Sequence, residues 1–200
     1  MPGASAAGRL RGTYPSEFGG TAETRLPRFK LPNSASLKNI RSLFEDNLFF
    51  SRRPGATIEF HPRWCHLEPH ALAMAAAWGA EQINAGNRIK VKNQNRAKYA
   101  ARMKLFEHLN VPFPFEIHER EEAGRFVPIT QVRDSASVRS VIADISALLH
   151  LQDDPETLAA VQYCLSELLR NVLEHSGSAN GAFVCAQNFR TGTPPRDRRR

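Results

Sequence analysis

Thr57-Ile58-Glu59-Phe60, the alanine-rich run from Ala71 to Gln82, and Arg88-Ile89-Lys90-Val91-Lys92 are the three stretches on which the fold class turns. The first and third alternate polar and apolar residues, as half-buried strands do, and the middle one is strongly helix-forming. Pro69 suits the first turn of that helix, and Asn84-Ala85-Gly86-Asn87 ends it. From Gln94 to Leu109 the apolar positions Ala97, Ala101, Leu105 and Leu109 return to helical spacing. The order is therefore β-α-β-α, which predicts an α/β fold with a small mixed or parallel sheet covered by helices.

Working upstream, Pro54-Gly55 breaks the chain, and Leu37, Ile40, Leu43 and Phe44 predict a short docking helix behind a cap at Ser34 or Ser36. Residues 1–35 are rich in Gly, Ala, Ser, Thr, Pro and Arg, and read as a flexible leader that cannot offset the entropy of ordering. Downstream, Pro112, Pro114 and His118-Glu119-Arg120-Glu121-Glu122 read as a linker. Phe126 to Val132 follows as a strand, placed at a sheet edge because Pro128 cannot donate to a ladder. Two helices come next, Ser135 to Leu149 on Val138, Val141, Ile142, Ile145, Leu148 and Leu149, then Pro155 to His175. Gly177 closes the second, and Gly181 to Gln187 reads as a strand. No internal repeat is visible. The expected division is a leader (1–35), an α/β module (36–118), a second module (119–190) and a basic disordered tail (191–200).

Two hundred residues, 42% of them hydrophobic, suffice for a buried core and exclude wholesale disorder and fibrous repeats. Lys and Arg total 27 against 20 Asp and Glu, a formal charge of +7, of which the last five residues supply +3 (four Arg, one Asp). This excess permits nucleic acid or acidic partners without requiring either. Three cysteines with no C-x-x-C pair do not make a disulfide framework, so a reducing, cytoplasmic setting is expected. No apolar stretch approaches the roughly 20 residues of a membrane span, and the leader lacks a secretory apolar run.

The chemistry-bearing segment is Ser166-Glu167-Leu168-Leu169-Arg170-Asn171-Val172-Leu173-Glu174-His175-Ser176. On a helix, Leu158, Val161, Leu165, Leu168 and Val172 form one apolar stripe, and Glu167, Asn171 and His175 a row along its flank, continued upward by Ala160 and Cys164. Arg170 and Glu174 fall outside. A carboxylate beside a phosphate site can orient or deprotonate an attacking group, and an amide oxygen one turn away is a hard ligand for a phosphate-bridging Mg²⁺. The same spacing also arises on solvated helix faces.

In its setting, after a strand and an amphipathic helix and before a Ser-Gly-Ser turn and a strand, this helix resembles the N-box of the GHKL-type (Bergerat fold) ATPases. These are shared by gyrase, Hsp-type chaperones, histidine kinases and anti-sigma serine kinases. Leu165 to Leu169 and Val172 to Ser176 come close to the anti-sigma-like branch. The resemblance covers about Phe126 to Gln187. It implies Glu167 as the base or water-orienting group, Asn171 as ligand to the ATP-bound Mg²⁺ and His175 lining the site, with ATP and Mg²⁺ as cofactors. The later Asp-x-Gly-x-Gly segment and glycine-rich lid of that family are missing, which suggests a truncated or degenerate ATPase module. The stretch from about Thr57 to Leu109 resembles STAS-like domains through Leu67-Glu68-Pro69-His70-Ala71-Leu72-Ala73 and Tyr99 to Glu107. Glu68, Pro69 and His70 stand where switching members carry a phosphorylatable hydroxyl, which argues against a phospho-switch.

Other groupings weigh less. His61, Cys65, His66 and His70 contain zinc-ligand types without a standard spacing, and structural or surface roles are favoured. Arg88, Lys90, Lys92, Arg96, Lys98, Arg102 and Lys104 form a basic run that could grip phosphates, but they alternate around a strand and a helix and need not share a face. Ser166 and Ser176 lack an orienting third group for a hydrolase triad. Cys164 and Cys185 read as core thiols, and Trp64 and Trp78 as packing anchors. The resulting expectation is ATP-linked regulation, phosphorylating or switching a regulatory protein partner, as an ATPase or protein kinase once the missing half is supplied. A homodimer is compatible and a membrane is not expected. The alternative is a non-enzymatic, STAS-like interaction module contacting protein or nucleic acid.

Overall fold

Arg28-Phe29-Lys30-Leu31 alternates charge with apolar bulk, and Phe29 and Leu31 are each only 2% exposed. A computed structural model describes residues 27–47, 55–63, 65–117, 125–151 and 153–188. In chain order it opens with β1 (Arg28–Leu31), the two-residue β2 (Ser34–Ala35), a 3-10 turn over Leu37–Asn39 and α1 (Ile40–Asn47). Next come β3 (Ala56–Phe60), the two-residue β4 (His66–Leu67), α2 (Pro69–Asn84) and β5 (Ile89–Lys92). Part of the stretch read as a leader is thus sheet. Composition averaged over 35 residues hides a strand of four, whose two apolar side chains reach the core.

β1, β3 and β5 form a parallel sheet in that order, and β2 pairs with β4, also parallel. The mixed α/β class holds. Strand, short strand and helix therefore occur twice in succession, a repeat of geometry that the sequence does not display. Parallel neighbours connected in sequence need crossovers, and right-handed crossovers stepping one way across a sheet place their helices on one face. The burial pattern agrees with this. Phe29, Leu31, Ala56, Ile58, Phe60 and Ile89 enter one core with Leu43 of α1 and Ala71, Leu72 and Ala75 of α2.

The helix expected from Gln94 to Leu109 is three pieces: a 3-10 turn (Gln94–Arg96), α3 (Lys98–Arg102) and α4 (Leu105–His108). The apolar spacing holds across the pieces, since Ala97, Ala101, Leu105 and Leu109 are all buried. The break falls at Lys104, in left-handed conformation (φ 63°), where the Met103 carbonyl accepts a hydrogen bond from Ile129 N at 3.0 Å instead of continuing the helix. Beyond it, Phe113 packs on Phe106 with ring centroids 4.7 Å apart, and Val111 and Ile117 also rest on the core. The described part of the expected linker is anchored. Its charged run at 118–122 lies outside the described residues, as does Trp64.

β6 (Phe126–Val132), α5 (Ser135–Leu149), α6 (Pro155–His175) and β7 (Ala182–Gln187) complete the described chain. β6 and β7 pair antiparallel, with a register shift between Val127 and Thr130 that accommodates Pro128. The Asp134 carboxylate caps α5 by accepting from Ser137 N at 2.8 Å, and Asp154 caps α6 through Thr157 N at 3.1 Å ahead of Pro155. One face of this hairpin joins α5 and α6 in a second core built on Val127, Val132, Val141, Ile145, Leu148 and Leu169. Its other face completes the first: Phe126 and Ile129 are buried there, and Phe183 and Cys185 pack beside them. Packing thus runs across the expected division at residue 118. Among the described residues no helix is long and apolar enough to cross a membrane.

Candidate functional site

Two leucines in a row, Leu168 and Leu169, followed by Val172 and Leu173, give α6 two overlapping apolar stripes about 100° apart. The structure uses the second. Leu169 is 8% exposed and Leu165 and Leu173 pack beside it, whereas Leu168 is 63% exposed and Val172 39%. This corrects the stripe expected through Leu168 and Val172. A polar contact marks the chosen face: Gln162 Nε2 donates to Ser146 Oγ at 3.1 Å, and that hydroxyl donates to the Ile142 carbonyl at 2.6 Å.

The rotation carries the polar row outward, so that Glu167 and Asn171 stand roughly 160° round the helix from the buried face. Asn171 and His175 are exposed. Glu167, its side chain 44% exposed, meets Arg170 at 3.8 Å, and His175 Nε2 lies 4.0 Å from Glu174. The three residues share one helix face, but among the described residues nothing forms a wall opposite them. Their donor chemistry fits a phosphate-bridging Mg²⁺, with Asn171 offering a neutral hard oxygen and Glu167 a carboxylate. The enclosure that makes such contacts strong is not supplied by the described residues. Cys164, expected in the core, is also exposed on this outward side.

A concavity lies elsewhere among the described residues. A cavity of about 270 Å³ opens between β1, α1, α2 and the turn into β7, lined chiefly by Phe29, Phe44, Met74, Trp78 and Phe183, with Glu81 at its edge. It is an apolar slot. Glu81 Oε1 accepts from Asn180 Nδ2 at 2.7 Å, while Asn180 Oδ1 accepts from Asn84 Nδ2 at 2.9 Å and its carbonyl from Gln131 Nε2 at 2.9 Å. Asn180 is 4% exposed, so this network ties α2 to the β6–β7 hairpin from within. Gly181, with φ +67°, turns the chain there, and a Cβ at that position would strike the Val132 carbonyl oxygen. The sequence gives Asn84 only as a helix end and does not single out Glu81 or Asn180, because a polar network between elements far apart in sequence leaves no periodic trace.

The expected basic run divides. Arg88, Lys90, Lys92, Arg96 and Lys98 are exposed, but the Arg102 guanidinium lies over the rings of Tyr99 and Phe126, at 5.5 and 5.3 Å from their centroids. Tyr99 donates to Gln187 Oε1 at 2.5 Å, and its hydroxyl is held well above its ordinary range by burial first and by neighbouring Cys185 second. Burial likewise pushes the Cys185 thiol up to about 12, and that thiol donates to the Pro69 carbonyl. In the cysteine–histidine stretch, Cys65 accepts from His61 N at 3.1 Å, His66 is exposed and His70 faces Glu68 at 3.7 Å. No cluster of three or more metal-ligating side chains occurs among the described residues. Compared with known protein families, curated proteins and solved structures, the chain matches none.

Proposed function

We propose that this chain is an ATP-linked regulatory protein of the GHKL-like class, with a STAS-like front module, that takes Mg-ATP on the outward face of α6. The supporting observation is that this face is unfinished. Glu167, Asn171 and His175 stand on consecutive turns beside exposed Leu168 and Val172, and apolar side chains left bare next to a row of polar groups mark a surface suited to a partner or ligand. In this reading Asn171 holds the ATP-bound Mg²⁺, Glu167 is the base candidate and His175 lines the site. Bound ATP would supply the transferable phosphoryl group. Isothermal calorimetry on the full chain tests this: Mg²⁺-dependent ATP binding weakened at least tenfold by Asn171→Ala is expected, with Glu167→Gln reducing turnover more than binding. Mg-ATP binding that is absent, or indifferent to Asn171→Ala, would reject the proposal.

A second reading, a non-enzymatic interaction module, is favoured by the lack of a wall opposite the trio among the described residues. It predicts no Mg-ATP binding and a partner that protects Leu168 and Val172 from hydrogen exchange or labelling.

A further inference from the structure

Parallel sheets are ordinarily covered on both faces. Here α1, α2, α3 and α4 gather on the Phe29, Ile58 and Ile89 face, and the alternate residues of the same strands point the other way. The register sets those residues in two rows across the sheet: Arg28, Thr57 and Lys90, then Lys30, Glu59 and Lys92. Arg28, Lys30, Lys90 and Lys92 are exposed, and Thr57 and Glu59 half-buried between them. Arg28 pairs with Glu59 at 2.6 Å, so that the cationic excess of the face rests on Lys90 and Lys92. Lys90 and Lys92 meet no acid among the described residues. Arg88, exposed just before β5, adds to the charge.

We infer that this sheet face, which no described helix covers, binds the phosphate backbone of duplex nucleic acid. Charge complementarity selects a polyanion, and the composition of the face selects among polyanions. It carries no apolar side chain larger than the methyl of Thr57, and so lacks the desolvated apolar centre on which a protein partner would seat. It carries no aromatic ring either, and so lacks the stacking platform by which single strands are held. What remains is a flat set of cations: about 5 Å between neighbouring strands and about 6.6 Å between Lys90 and Lys92 along one strand. Such a surface contacts backbone and reads no bases. The inference does not involve α6 and stands or falls independently of ATP binding.

The test is fluorescence anisotropy of the full chain with a random-sequence labelled duplex of about 25 base pairs, titrated at several salt concentrations without nucleotide or Mg²⁺. Lys90→Glu with Lys92→Glu is expected to weaken binding at least tenfold near 0.1 M salt. It should also reduce the slope of log affinity against log salt by about 1.8, two contacts at roughly 0.9 each. Both lysines are exposed, and Lys90→Gln with Lys92→Gln, expected to give the same loss of slope, guards against a folding artefact. The basic tail is removed from account by changing Arg196, Arg198, Arg199 and Arg200 to Gln, and in that background the dependence on Lys90 and Lys92 should persist. An unchanged slope in either lysine variant, or loss of all binding in the tail variant alone, would overturn the inference. So would competition by polyglutamate as effective as that by unlabelled duplex.

Discussion

Gly181 occupies a backbone conformation that side chains rarely adopt, and the Val132 carbonyl stands where a Cβ would go. Gly181→Ala is therefore expected to destabilise the fold by about 1–3 kcal/mol in urea denaturation, with no compensating gain at the cavity it borders. The three cysteines offer a readout of their surroundings. Cys164 is exposed, Cys65 is half-buried with its thiol pushed up by burial, and Cys185 is held near 12. A thiol reagent at pH 8 should modify Cys164 first and leave Cys185 untouched until the protein unfolds; rapid loss of the Cys185 thiol would contradict its placement. At Asp134 the hydrogen bonds from Ser137 hold the carboxyl below its ordinary 3.8. A depressed pKa means the cap's contribution is present above the unfolded value and disappears as pH falls through the folded one, so Asp134→Ala should lower Tm at pH 6 and cost progressively less as the pH is taken down below 3.8.

Among the elements, α6 shows what sequence can and cannot decide. Its existence, its start at Pro155 and its end at His175 were legible, because a cap, a first-turn proline and three-four spacing agree. Which side faces inward was not, since Leu168 with Val172 and Leu169 with Leu173 satisfy the same period. The choice is made by α5, through Ser146 and Gln162, and that partner is invisible in a local window. Leu169→Ala should cost about 2–5 kcal/mol and Leu168→Ala about 0.5 or less, measured by chemical denaturation. The reverse order would restore the originally expected stripe and bring Glu167 and Asn171 back towards a cleft. The same limit explains β1: Arg28-Phe29-Lys30-Leu31 has a clear period of two, but four residues in a polar neighbourhood carry too little signal without the β3 strand beside them.

Taken whole, the molecule joins by packing what the sequence suggested were separate modules. Phe126, Ile129 and Phe183 close the core begun by β1, β3 and β5, and Asn180 bonds into α2. Thermal unfolding followed by far-UV circular dichroism and by aromatic signals is therefore expected to give one coincident transition; two separated steps would show that the 118 division is an energetic one. Asn180→Leu, which strands Glu81 and Asn84 without their shared partner, should lower that single Tm rather than loosen one half.

This arrangement also constrains how the protein is made. Of the described strands, β1 leaves the ribosome first; with Phe29 and Leu31 on one side, it finds its neighbour only when β3 has been synthesised, and its apolar covering is finished only when β7 emerges. While the chain between β1 and β7 is being made, those side chains have no permanent home. Nascent chains halted between β5 and β7 should accordingly recruit holding chaperones and resist cleavage poorly, and protection should arrive late, in one step.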